Sequence, residues 1–255
     1  MESSENKDSQ ILSEFTKKKP GAAFKELLVN IIIPIMILTN LSSEDRLGIK
    51  LALFLAFLLP LIYGLNDYIK NKNTNFFSIL GIISVSLSGG LALLEADAIY
   101  IAIKEASIPL IFACAILYSL RGGKSLIHYF FENPTLVNVK KVLSSLEASN
   151  NFKSYNKLLK KGTVVFALSF LLSALLNFLL AIFVLTGEPG TEEFNYQLAK
   201  MLALSFPVNA LPPMIINIVN IIVVSRGMKK LTGLNLEEIF NQKGCCLLYT
   251  SDAAD

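Results

Sequence analysis

Residues 164–185 read VVFALSFLLSALLNFLLAIFVL, 22 positions without one charged side chain. A helix rises about 1.5 Å per residue, so this run reaches about 33 Å. The hydrocarbon core of a bilayer is about 30 Å thick and takes about 20 apolar residues to cross. The run is apolar on every side, without the single greasy stripe of a helix on a soluble core. A strand would leave backbone groups unpaired in lipid, so the span must be a helix. Five further stretches repeat the pattern: Ala22–Leu41, Leu47–Asn66, Phe76–Ala96, Ala98–Leu120 and Leu198–Val224. The expected fold is an all-α, polytopic transmembrane bundle of six spans. Composition agrees, with 53% hydrophobic and 17% charged residues and a mean hydropathy of +0.55. Soluble domains run at about 45–50% and about 25%.

The basic residues alternate between loops. The N-terminal tail carries Lys7, Lys17, Lys18, Lys19 and Lys25, and the second loop Lys70 and Lys72. Eight more lie between Arg121 and Lys161, and the C-terminal tail adds Arg226, Lys229, Lys230 and Lys243. These are 19 of the 23 lysines and arginines. Basic loops stay in the cytoplasm, so both termini are expected inside. The intervening loops are short and acidic, with Glu44, Asp45, Glu95, Asp97, Glu188, Glu192 and Glu193. A secretory leader would place its apolar run directly after a short basic start. Here that run begins only near Leu27, and a retained first span is expected.

The chain divides into a polar tail (1–21), four spans (22–120), an amphipathic loop (121–163), two spans (164–224) and a cytoplasmic tail (225–243). Residues 244–255, GCCLLYTSDAAD, break with everything before them and read as sequencing or vector read-through; without Asp252 and Asp255 the net charge would be +5 rather than +3. Cys245 and Cys246 fall there, and Cys114 sits in a span as a packing residue. No cysteine spacing suggests zinc or a disulfide framework. In the loop, Leu136, Val139, Leu143 and Leu146 form a helical stripe with Lys140 and Lys141 on the other face. Phe152, Tyr155, Leu158 and Leu159 continue it after the polar break SNN. A helix pair under the bundle or on the membrane surface is expected, with a docking site for a partner as the alternative.

Few side chains offer chemistry. Lys104 and Glu105 lie within a span, where a charge costs about 2.5–3.5 kcal/mol on insertion scales. Lys104 lies about a third of the way in, so its stem can carry the ammonium to the outer interface, and it reads as an anchor or a structural pair; the alternative is a polar cavity or substrate site. Pro34, Pro60, Pro109, Pro207, Pro212 and Pro213 interrupt four spans, the last most heavily. Asn209, Asn217 and Asn220 share that broken span, Asn177 is central in the fifth, and Asn30 is early in the first. Broken helices with mid-membrane polar groups form transporter sites, whereas single asparagines also join helices by hydrogen bonds worth about 1 kcal/mol. The substrate-binding candidates are thus Lys104, Glu105, Asn177, Asn209 and Asn217. Gly81, Ser84, Ser88 and Ala92 make a small-residue packing stripe, and Gly89-Gly90 should loosen the helix beyond it. His128, the one histidine, sits among aromatics and reads as an interface residue. Arg121-Gly122-Gly123-Lys124 lacks the strand and threonine of a phosphate loop and reads as a positive stop. No catalytic, metal or dinucleotide motif stands in the sequence, so neither an enzyme nor a cofactor is expected, and the membrane explains the basic face without nucleic acid.

One stretch carries a resemblance. Residues 66–120 combine a short basic loop (Lys70, Lys72), a glycine-bearing span (Gly89, Gly90), an acidic turn (Glu95, Asp97), then Lys104 and Pro109. In this the chain resembles the intracellular septation protein A-like family of bacterial inner-membrane proteins, as a larger relative with an added loop and two more spans. The resemblance implies an inner-membrane protein supporting septation or the cell envelope without catalysis. Its implied partners are envelope or division proteins; the apolar spans themselves make the lipid bilayer an expected partner, with a second copy of the chain as another. It carries over no catalytic residue. A small-solute transporter or channel is the alternative, resting on the broken sixth span.

Overall fold

The computed structural model describes residues 28–71, 76–122, 125–134 and 136–240. The expected tail 1–21, the start of the first span (22–27), Lys72, Lys124 and everything from Asn241, the 244–255 segment included, lie outside the described residues. A π-helical turn, Leu28–Ile32, leads into α1 (Ile33–Asn40). There follow α2 (Ile49–Asn71), α3 (Phe76–Leu93), α4 (Ala98–Ser119), α5 (Leu126–Phe131), α6 (Val139–Ala148) and α7 (Phe152–Val184). A second π-helical turn, Phe206–Ala210, separates α8 (Glu192–Ser205) from α9 (Leu211–Thr232), and α10 (Leu236–Ile239) follows.

The protein is all-α. Among the described residues, four helical runs are long and apolar enough to cross a membrane: Ile49–Asn66, Ala98–Gly122, Phe152–Val184 and Glu192–Thr232. They coincide with the second, fourth, fifth and sixth expected spans. The first span is represented by the short apolar run Leu28–Asn40, and the third falls on the 18 residues of α3.

Two compact units divide the chain. One takes the residues up to Lys104 together with Leu180–Leu204; the other takes Glu105–Leu179 and the residues from Ser205. In the first unit α2 packs on α1 and α3. Ala52 and Ala56 of α2 are fully buried. A Cβ on Gly89 would sit 2.9 Å from Phe57 Cβ. Gly89-Gly90 therefore does not loosen α3, which runs on to Leu93; Gly89 makes room for an aromatic ring of α2. Asn195 of α8 is buried and donates to Ser42 Oγ and to the Ile49 carbonyl, both at 3.0 Å. This helix starts six residues before the expected boundary at Leu198. Glu192 and Glu193 suit the positive end of its dipole, and Thr191 Oγ1 accepts from the Phe194 N–H at 3.1 Å.

The second unit has a core of Phe131, Val142, Leu146, Leu159, Met228 and Ile239. Here the amphipathic loop closes on the end of α9 and on α10. Val137 and Phe240 form an isolated antiparallel bridge. Of the expected stripe, Leu146 is buried and Leu136 and Val139 pack against this core, whereas Leu143 is 36% exposed and Val142 takes its place on the buried face. Asn138 caps the helix, its side chain accepting from the Lys141 N–H. Asn151 donates to the Leu231 carbonyl at 3.0 Å, Ser149 to the same oxygen at 3.2 Å, and Ser145 to the Thr232 carbonyl. The polar break SNN thus caps α9, whose last carbonyls have no partner within their own helix.

The expected boundary between loop and fifth span is absent, because α7 runs unbroken through Gly162 for 33 residues. That is about 50 Å, well beyond a bilayer core. A mid-helix glycine costs about 1 kcal/mol against alanine, and this one makes room for a close approach. A Cβ there would lie 2.7 Å from Val224 Cγ2 and 2.9 Å from Ile127 Cδ1. Its carbonyl accepts from Asn220 Nδ2 at 2.8 Å. His128 is buried in the protein rather than displayed on its surface. It is 3% exposed, with Nδ1 2.7 Å from Ser125 Oγ and Nε2 3.0 Å from Asn156 Oδ1.

Candidate functional site

Three prolines shape the approach to α9. Pro207 lies inside the π-helical turn, and Pro212 and Pro213 open the helix after it. Each lacks an N–H, so the carbonyl one turn earlier loses its helical donor. For Pro213 that carbonyl belongs to Asn209. Ser173 of α7 supplies the missing donor, its Oγ standing 3.2 Å from the Asn209 carbonyl.

The side chains extend this link. Asn209 Nδ2 donates to Asn177 Oδ1 at 2.7 Å, and Asn177 Nδ2 donates to the Ser173 carbonyl at 2.8 Å. Ser169 Oγ donates to Asn217 Oδ1 at 2.9 Å and also lies 2.7 Å from the Phe166 carbonyl. Asn209 Oδ1 is buried and, among the described residues, has no hydrogen-bond partner. Leaving such an acceptor unsatisfied costs about 1–3 kcal/mol.

A cleft of about 340 Å³ opens beside this network, lined by Ser169, Phe170, Ser173, Asn209, Pro213 and Asn217. Among the described residues no charged side chain lines it. Hydroxyls and carboxamides both donate and accept, so the cleft offers hydrogen bonds to an uncharged polar solute, with apolar walls to exclude water.

Of the five expected site residues, Asn177, Asn209 and Asn217 come together here. Lys104 and Glu105 do not line the cleft. Lys104 is 6% exposed, and its ammonium donates to Ser88 Oγ of α3. Glu105 is half-buried and belongs to the second unit. Asn30 is exposed, and Asn220 is engaged by Gly162. The sequence reading missed Ser169 and Ser173. Their signal was the spacing of four that places 169, 173 and 177 on one face of α7.

No family model, no curated protein and no solved structure matches the chain.

Proposed function

We propose that the protein is a multi-pass membrane protein that binds a small polar solute at the Asn209–Asn217 cleft and passes it across the bilayer, as a transporter or channel. The observation that supports this reading is the helix break before α9. At membrane depth, irregular backbone is tolerated where it is buried in protein or lines a cavity, and Asn209 and Ala210 of this break line the cleft. The buried Asn209 oxygen without a partner fits a site that a donor group on a solute would complete. In this reading the basic loops hold both termini in the cytoplasm of a bacterial inner membrane.

Proteoliposomes loaded with a panel of labelled small polar solutes test the reading. The expected result is uptake or efflux of at least one uncharged solute, lost in Asn209→Ala and Asn217→Ala. A wild-type protein that moves none of the panel contradicts it.

A second reading is non-enzymatic support of septation or the envelope through division proteins or a second copy. The closed module of α5, α6 and α10, with Lys140 exposed on it, favours it as a surface for protein contacts. Deletion of the gene should then change cell length or sensitivity to envelope stress, and a deletion strain identical to its parent would count against it.

A further inference from the structure

The exposed face of α4 ends differently from the other helices. Ile111 is 66% exposed, Cys114 is exposed, and Tyr118 is 71% exposed. Arg121, exposed in the 3-10 turn Leu120–Gly122, comes next on that face. Spacings of three, four and three keep the four side chains in one line. From Ile111 to Arg121 the rise is about 15 Å, half the thickness of a bilayer core and so the depth of one leaflet. At the end of the line lies a cleft of about 300 Å³, bounded by Tyr118, Ser119, Arg121, Gly122 and Tyr129 of α5. Tyr129 is 65% exposed. A Cβ on Gly122 would touch nothing within 4 Å, so the cleft floor is open. Among the described residues the Arg121 guanidinium has no hydrogen-bond or ion-pair partner.

A residue that merely stops a span needs only positive charge. Here a planar five-donor fork stands uncommitted in a cleft between two tyrosines. Guanidinium binds phosphate oxygens in a bidentate manner, and tyrosine favours the membrane–water interface, ring toward lipid and hydroxyl toward water. The oxygens of a phosphate ester and of free phosphate are alike. The apolar track leading to the cleft distinguishes them, since only a lipid has chains to lay along Ile111, Cys114 and Tyr118.

We propose that this cleft is a binding site for an anionic glycerophospholipid, its phosphate on Arg121 and one acyl chain along the exposed face of α4. The site is independent of the α7 cleft and does not rest on the solute-binding reading. The test uses the full chain, delipidated in detergent and examined by native mass spectrometry with added phosphatidylglycerol, phosphatidylcholine or inorganic phosphate. Phosphatidylglycerol should be retained over phosphatidylcholine. Arg121→Gln should lower that retention about tenfold, with Arg121→Lys between, because a charge-assisted fork is lost stepwise. Should Arg121→Gln fail to fold, the wild-type protein still decides. Short-chain phosphatidylglycerol should raise its Tm at concentrations where inorganic phosphate does not. Full retention of phosphatidylglycerol by Arg121→Gln, or equal protection by inorganic phosphate, overturns the proposal.

Discussion

The Asn209 side-chain nitrogen lies 2.7 Å from Asn177 Oδ1, so the break before α9 and the apolar part of α7 are tied by carboxamides. The other end of the Asn209 carboxamide, Oδ1, is buried without a partner among the described residues. This asymmetry orders two mutations. Asn177→Ala strands the Asn209 nitrogen beside its already stranded oxygen and should cost about 1–3 kcal/mol. Asn209→Ala removes the stranded oxygen along with the bond and leaves only the part-buried Asn177 Oδ1 without its donor, so its net cost should be smaller, about 1 kcal/mol. Unfolding in mixed micelles gives the order; equal or reversed costs contradict the assigned pairing.

Gly162 and Gly90 should respond oppositely to alanine. At Gly162 the new methyl would stand 2.7 Å from Val224 Cγ2, whereas at Gly90 it would meet nothing within 4 Å. Overpacking costs about 1–3 kcal/mol, so Gly162→Ala should be destabilising by that amount. Gly90→Ala should be neutral or stabilising by up to about 1 kcal/mol through helix propensity. The same unfolding measurement reads both.

The docking of α10 should weaken in acid. The hydrogen bond from Lys141, at 2.9 Å, and then the Asn235 N–H hold the Glu238 carboxyl below its ordinary value. A carboxyl depressed in the folded state contributes stability above the unfolded pKa, about 4.3. That contribution is lost as pH falls through the lower folded value. Hydrogen-exchange protection factors for residues 235–240 should hold from neutrality to about pH 5 and then fall, and Lys141→Gln should shift the fall to higher pH. A profile unchanged by Lys141→Gln would contradict the pairing.

What the sequence made legible was governed by composition, and what it hid depended on tertiary approach. The uncharged run 164–185 announces its helix because burial in lipid leaves no alternative. Asn177 and Asn209 are conspicuous because carboxamides are costly among leucines, and the prolines mark the break beside them. Ser169 and Ser173 are hidden because a helical serine ordinarily satisfies itself on the preceding turn; only the nearby break gives Ser173 another acceptor. Gly162 was read as a loop end, since sequence does not say that Val224 and Ile127 will press on it. Asn195 lay outside the expected span, and its partners Ser42 and Ile49 are about 150 positions away. Whether Lys104 anchors at an interface or pairs within the protein is not legible in the sequence either, because only the packing of α3 brings Ser88 within reach of its ammonium.

The account depends most on the apolar part of α7 crossing a bilayer. In a cysteine-free background, Lys153→Cys and Glu188→Cys should be tested separately in sealed vesicles with a membrane-impermeant maleimide. The account predicts that Lys153→Cys reacts only from the cytoplasmic face and Glu188→Cys only from the opposite face. Reaction of both from the same face would contradict it.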